Sequence, residues 1–244
     1  MNILSNLRAA ALVLTISFLG VNNDVYAQKY EWKSLFISGD HSIDNFDVGR
    51  LDLAAMFDGL GVREENQTHL TSSAKFIEQA DGVANLANIK TVFENFNLKD
   101  NGGCFVHMTS HGIKRGGFYL SRDYALQPNT LAKLVNDNCG DAPSVILISA
   151  CYSGQFITKQ LMGDNRIILT AAIKDRPSFG CSPDYKYTFW DSCLLEEVPH
   201  SVTWTEAYEN IKSCITRKEQ ELGARPSLPQ GFFGKNMKNF EIIQ

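Results

Sequence analysis

Two short blocks of this sequence end in residue types that do covalent chemistry together. The first runs Cys104-Phe-Val-His-Met-Thr-Ser and closes with His111-Gly112. The second runs Ser144-Val-Ile-Leu-Ile-Ser-Ala and closes with Cys151-Tyr-Ser-Gly. Each is an apolar run followed by small residues, the pattern of a strand buried on both faces that stops at a loop. A thiol and an imidazole delivered to one sheet edge make a nucleophile and a proton carrier. A thiolate is intrinsically nucleophilic, and an imidazole of ordinary pKa, about 6.5, both takes and gives a proton near neutrality. Gly112 lets backbone N–H groups approach a substrate closely, and with the N–H of Cys151 it would form an oxyanion hole. Residues Tyr152 to Phe156 are expected to open a helix whose N-terminus lowers the thiol pKa. The chemistry such parts would serve is acyl transfer through a thioester, of which hydrolysis of a peptide bond is one case.

The rest of the chain must bring those two strand ends together. A strand over Lys33 to Asp40 leads into a helix with Leu53, Met56, Phe57 and Leu60 at three- and four-residue spacing, closed by Gly61. A short strand is expected near Thr68 to Thr71. Leu86, Ile89, Phe93 and Phe96 mark the next helix, and Lys99 to Gly103 is a turn before the histidine strand. Phe118 to Tyr124 reads as a small hairpin beside the crevice. Pro128 opens a helix bearing Leu131, Leu134 and Val135, which leads into the cysteine strand. A further buried strand runs Arg166 to Ala171, and a last long helix carries Trp204, Tyr208, Ile211, Cys214, Ile215 and Leu222. Arg225 to Phe233 is expected to lie as an extended tail. Strands alternating with helices imply an α/β fold, with a mostly parallel sheet covered on both faces.

Bulk properties bound the setting. Residues 1–27 have one arginine, Arg8, an apolar segment from Ala9 to Gly20 and a Val-Tyr-Ala end, the three regions of a signal peptide. Its apolar core is well short of the roughly 20 residues a spanning helix needs. Residues 28–244 are therefore expected to be one secreted or periplasmic domain with no membrane span. A net charge of −4 provides no basic field for nucleic acid and leaves a peptide or protein as the expected partner. With Cys151 set aside, five of the six cysteines remain, so two bridges at most can form and one thiol is left over. Cys181, Cys193 and Cys214 are candidates for one bridge, and Cys104 reads as an inert buried thiol. His107 reads as a satisfied core residue, Asp40 and His41 as possible crevice residues, and His69 and His200 as surface. Cys104, His107 and His111 are potential zinc ligands. Residues three apart on a strand face opposite ways, however, so no metal site and no cofactor are expected.

With those residues in view, the chain resembles the legumain-type cysteine peptidases of family C13. The resemblance rests on Thr-Ser-His111-Gly112 and Ser-Ala-Cys151-Tyr-Ser-Gly in that order, and extends from about Leu35 to Asp191. It implies a caspase-like three-layer sandwich and a cysteine endopeptidase of secreted, bacterial type. Asn45-Phe46 matches an Asn-aromatic pair whose asparagine orients the histidine in that family. Ser178-Phe179-Gly180-Cys181 is similar to a segment lining its specificity pocket, with Thr188-Phe-Trp-Asp191 following.

The family's asparagine-selecting pocket holds an arginine and two acids, and the corresponding positions here are Asp47, Ser149 and Asp191, beside Ser178. Two carboxylates without a cation would attract a lysine or arginine at P1, with asparagine the rival. The alternative for Asp47 is a solvent-facing N-cap of the helix that follows it. Two other functions use the same residues. One is a transpeptidase or transamidase in which an amine outcompetes water. The other is a non-catalytic binding protein on a degenerate peptidase fold.

Overall fold

The computed structural model describes residues 30–242, so the signal segment lies outside the described residues. In chain order the elements are β1 (Glu31–Ser38), α1 (Asn45–Gly59), β2 (Gln67–Thr71), β3 (Gly82–Val83), α2 (Leu86–Glu94) and β4 (Gly102–Thr109). Next come β5 (Gly112–Ile113), β6 (Gly117–Leu120), β7 (Tyr124–Leu126), α3 (Pro128–Cys139) and β8 (Ser144–Ser149). The chain closes with β9 (Arg166–Thr170), α4 (Phe189–Glu197), α5 (Trp204–Glu221) and β10 (Gln230–Phe233).

Seven strands form one sheet in the order β10-β9-β8-β4-β1-β2-β3. Every pairing is parallel except that of β10 with β9. From β1 the chain first builds outward through β2 and β3, then crosses back to lay β4, β8 and β9 on the other side. The topological switch lies between β1 and β4, and loops leaving the carboxyl ends of neighbouring strands there open a crevice.

The continuous apolar runs are explained by burial on both faces. Phe36, Phe105, Val145, Leu147, Ile167 and Leu169 pack against one helix layer, with Leu53 and Phe57 of α1, Trp190 and Leu194 of α4, and Ile211 of α5. Their neighbours Leu35, Ile37, Val106, Met108, Ile146, Ile148 and Ile168 face the other layer, with Ile89 and Phe93 of α2 and Leu131 and Val135 of α3. Alternate side chains of a strand point to opposite faces, so a strand covered twice has no polar position to spare. Each such side chain contributes roughly 1.5–3 kcal/mol relative to exposure.

Helix ends follow local chemistry. Asn85 caps α2 by accepting from the Asn88 N–H at 2.7 Å, Pro128 occupies the first turn of α3, and Thr203 caps α5 by accepting from the Glu206 N–H.

Four readings are corrected. Cys104 is not a lone thiol but is bridged to Cys139 at the end of α3, because the crossover from α3 into β8 passes over the amino end of β4. Residues 230–233 do not trail as a tail but pair antiparallel with β9. A helix not expected from the sequence, α4, carries Cys193, which is bridged to Cys214 of α5. His69, expected at the surface, is half-buried against Arg50.

Candidate active site

β4 and β8 are adjacent and end in step: Thr109 pairs with Ser149, and the Ser110 N–H donates to the Ser149 carbonyl at 3.1 Å. His111 and Cys151 therefore leave the same sheet edge from neighbouring strands. Asn45 enters from β1 on the far side of β4, at the start of α1.

After Cys151 the chain turns sharply. Tyr152 adopts a left-handed conformation with φ 58°, and its N–H donates to the Arg176 carbonyl at 2.9 Å. The conformation costs a non-glycine residue roughly 1–2 kcal/mol. Ser153–Phe156 makes a single 3-10 turn rather than the expected helix. Gly154 explains the difference. It passes so close to the following segment that a Cβ there would meet the Lys174 nitrogen at 2.8 Å and the Ala172 carbonyl at 2.9 Å. A helix macrodipole consequently makes no contribution at the sulfur.

The sulfur is instead surrounded by the loop following β9. The Ser178 N–H donates to Cys151 Sγ at 3.3 Å, the Ser178 hydroxyl lies at 3.7 Å, and the thiol can donate to the Ser178 carbonyl at 3.6 Å. Cys181 belongs to the same loop and also acts on the sulfur. It is the main reason the Cys151 thiol is pulled down to about 6, with Ser178 and the His111 charge adding to it against the cost of burial. Cys181 is pushed the other way by Cys151 and by burial, with Asp191 and Asp40 adding negative charge nearby.

His111 is half-buried. Its ring stands edge-on to Phe46 with centroids 5.2 Å apart, and its carbonyl accepts from the Tyr119 N–H at 3.0 Å. Gly112 follows in β5 and lies directly against the Cys151 backbone. A Cβ at Gly112 would be 1.7 Å from the Cys151 carbonyl oxygen.

Asn45 takes a different place from the one expected. Among the described residues no hydrogen bond links it to His111. Its amide Nδ2 donates to the Gly180 carbonyl at 2.7 Å and to the Ser182 carbonyl at 3.3 Å. Its buried Oδ1 has no hydrogen-bond partner among the described residues. Contact with the imidazole is made by Phe46 instead.

Of the four pocket positions, only Ser178 touches Cys151. Asp47 is buried. It accepts from Ser38 Oγ at 3.0 Å, from Thr71 Oγ1 at 2.9 Å and from Arg50 Nε at 3.0 Å, and the Arg50 Nη2 charge lies 3.0 Å from the same Oδ1, although Nη2 itself makes no hydrogen bond among the described residues. It is thus neither a solvent-facing cap nor an unpaired charge. Burial pushes its carboxyl up, against the opposing pull of Arg50. Arg50 Nη1 donates in turn to His69 Nδ1 at 2.8 Å, and His69 is pulled down to about 4, chiefly by burial and then by the Arg50 charge.

Asp191 is also fully buried. His107 Nε2 donates to it at 3.0 Å and Thr109 Oγ1 at 2.7 Å, which accounts for His107 as a core residue. Ser149 shares a buried hydrogen bond of 2.9 Å with Thr188, and Thr188 caps α4 by accepting from the Asp191 N–H at 3.0 Å. Asp40, at the end of β1, is buried and accepts from the Ser42 N–H at 2.6 Å, while His41 is exposed and paired with Ser121.

The sequence argument did not single out Arg50 or Thr188. Arg50 was accessible, since a charge three residues after Asp47 on a helix shares its face. Thr188 entered only as part of the Thr188-Phe-Trp-Asp191 segment, and its hydrogen bond to Ser149 had no signal in the sequence. One group of three metal-ligand side chains occurs among the described residues, Cys193, Glu196 and Cys214, and two of them are joined in the disulfide.

The sheet order and the helices covering it define a fold known from solved structures. The fold is similar to that of caspase-1 from Spodoptera frugiperda, with a TM-score of 0.56 and 14% identity over 84% of this chain and 87% of that one. The protein has the caspase-like fold, an α/β three-layer sandwich. The model of the peptidase C13 family matches residues 61–238, and the chain belongs to that family. Membership makes it a cysteine peptidase by family, with protein as the implied substrate. The matched span begins after Asn45 and Asp47. No curated protein matches the chain. Among the described residues no helix is long and apolar enough to cross a membrane.

Proposed function

We propose that this protein is a secreted or periplasmic cysteine endopeptidase in which Cys151 attacks the peptide carbonyl and His111 carries the proton. The observation that carries this reading is the sulfur environment at the shared end of β4 and β8. The N–H and the hydroxyl of Ser178 converge on Cys151 Sγ, and the His111 imidazole leaves the adjacent strand. Attack forms a tetrahedral intermediate whose oxyanion is taken by backbone N–H groups of Gly112 and Cys151. His111 protonates the leaving amine, a thioester remains on Cys151, and water activated by His111 releases the acid.

An oxidising compartment is supported by the two disulfides, which are rare among cytosolic proteins. The proposed P1 residue is basic. Asp47 is consumed by Arg50 and Asp191 is held by His107 and Thr109, so the preference draws only on the negative charge that Asp191 and Asp40 place near the Cys181 loop, without a carboxylate free to pair with the substrate. Cleavage of a mixed peptide library by wild type, Cys151→Ala and His111→Ala tests the whole reading. Products ending in Lys or Arg, lost in both variants, are expected. Products ending in Asn alone would remove the basic preference, and cleavage unchanged in both variants would remove the peptidase assignment. Adding a peptide amine during the reaction separates hydrolysis from transpeptidation, with the free acid as the expected main product.

A further inference from the structure

We propose that Gln155 is a positioning residue of this site: its side-chain amide ties the turn after the nucleophile to the loop after the histidine, and so holds the Gly112 N–H where the oxyanion forms. This rests on the peptidase reading and deepens it by naming what keeps the oxyanion hole in shape.

The direction of that N–H follows from the peptide group it belongs to. The His111 carbonyl accepts from the Tyr119 N–H of β6 at 3.0 Å, and across a trans peptide the N–H points the opposite way. β5 pairs only with β6, so the Gly112 N–H is turned out of the small sheet. When the Cys151 sulfur bonds to a peptide carbonyl carbon, the π pair moves onto oxygen, and donors must already stand there. β5 is two residues long, and the 113–117 turn that follows Gly112 is held from outside.

Every hydrogen-bonding atom of the Gln155 amide is engaged in holding it. Oε1 accepts from the Gly117 N–H at 3.1 Å. Nε2 donates to the Ile113 carbonyl at 3.1 Å and to the Tyr152 carbonyl at 3.1 Å, which also accepts from the Gln155 backbone N–H at 3.1 Å. An oxygen facing an N–H and a nitrogen facing two carbonyls leave one orientation for the amide, since a flip would set donor on donor. The residue after Gly112 is thus bridged to the residue after Cys151. Arg115, within the bridged turn, lies in the left-handed region with φ 57°, a conformation that persists where surrounding contacts impose it. Gln127 supplies another such contact from the N-cap of α3, donating to the Gly116 carbonyl at 2.6 Å. Gln155 is the one that reaches over from the nucleophile's own turn.

Two reactions of Cys151 separate a positioning role from a merely structural one. Alkylation by iodoacetamide forms no oxyanion and is followed on the Cys151 peptide by mass spectrometry. Cleavage of a peptide substrate forms one. Gln155→Met keeps the length of the side chain and removes its hydrogen bonds, and Gln155→Glu keeps an acceptor for Gly117 while setting a second oxygen against two carbonyls. Loss of an oxyanion donor costs about 100- to 1,000-fold. A donor displaced rather than deleted should cost less, so kcat in both variants is expected to fall by about 10- to 100-fold with KM held. Alkylation should stay at the wild-type rate. Cleavage by Q155M at the wild-type rate overturns the proposal. So does a loss carried by KM alone, or an alkylation rate that falls in step with cleavage. If neither variant folds, amide exchange of the wild type decides: a Gly117 N–H exchanging as fast as an exposed loop amide overturns the clamp, and one protected like a strand amide upholds it.

A wild type that cleaves no peptide removes the peptidase reading and this proposal with it. A wild type that cleaves while Q155M keeps pace removes this proposal alone.

Discussion

Gly112 and the carbonyl oxygen of Cys151 are so close that a side chain cannot be inserted between them: a Cβ on residue 112 would lie 1.7 Å from that oxygen. The histidine strand and the cysteine strand are thereby coupled through backbone as well as register. Gly112→Ala must push the two loops apart. Displacement of about 1 Å at reacting groups costs on the order of 100-fold in rate. The expected result is a loss of that size in kcat/KM with far-ultraviolet circular dichroism unchanged. Full activity in G112A would show that this contact does not set the geometry.

The Cys151 thiol is lowered to about 6, first by Cys181. Because the value is depressed, the thiolate is present above about 6 and is lost as pH falls through it. The acid limb of kcat/KM should therefore have its midpoint near that value and fall about tenfold per pH unit below it. A limb near the ordinary thiol range, about 8.5, would mean that the sulfur is not activated.

Asp47 and Arg50 form a buried pair whose outer ends are tied to Ser38, Thr71 and His69. Asp47→Ala leaves a guanidinium in the interior without its carboxylate, an arrangement that costs about 3–5 kcal/mol. Equilibrium denaturation of D47A should report that loss, and an Asp47→Ala/Arg50→Met double variant should recover part of it. A D47A protein as stable as wild type would place Arg50 in water instead.

The Cys104–Cys139 bridge joins the amino end of β4 to the end of α3, at the opposite edge of the sheet from Cys151. Removing a native disulfide costs about 2–5 kcal/mol. Cys104→Ala/Cys139→Ala should show that loss in thermal unfolding while the Cys151 alkylation rate stays at the wild-type value at temperatures where the fold holds. A changed alkylation rate would mean that the bridge reaches the active edge through the strand.

Much of the fold could be read from residue order because burial on both faces leaves an unmistakable trace. Val145 to Ile148 has no polar alternation, and the run stops just before Cys151, so the strand and the cysteine at its end were visible together. What escaped depended on distant partners. The short run Phe232-Phe233 becomes β10 only because the outer edge of β9 is free to receive it. Cys139 finds Cys104 through a crossover whose direction no local spacing encodes. Tyr152 to Phe156 looked like a helix start, and only the close passage of Gly154 beneath Ala172 holds it to one turn. Asn45 was expected to orient His111, but its partners are the carbonyls of Gly180 and Ser182, and carbonyls have no signature in side-chain identity. The Asp47 position looked like an uncompensated charge because its cation stands one helical turn later.

Burial divides the six sulfurs by access. Cys104, Cys139, Cys193 and Cys214 are each at most 4% exposed, whereas Cys151 and Cys181 are only partly covered. Thiol–disulfide exchange requires an attacking thiolate to reach a sulfur. A small hydrophilic reductant used to revive protein whose outer thiols had been capped during storage would thus release Cys151 while leaving both internal cross-links closed.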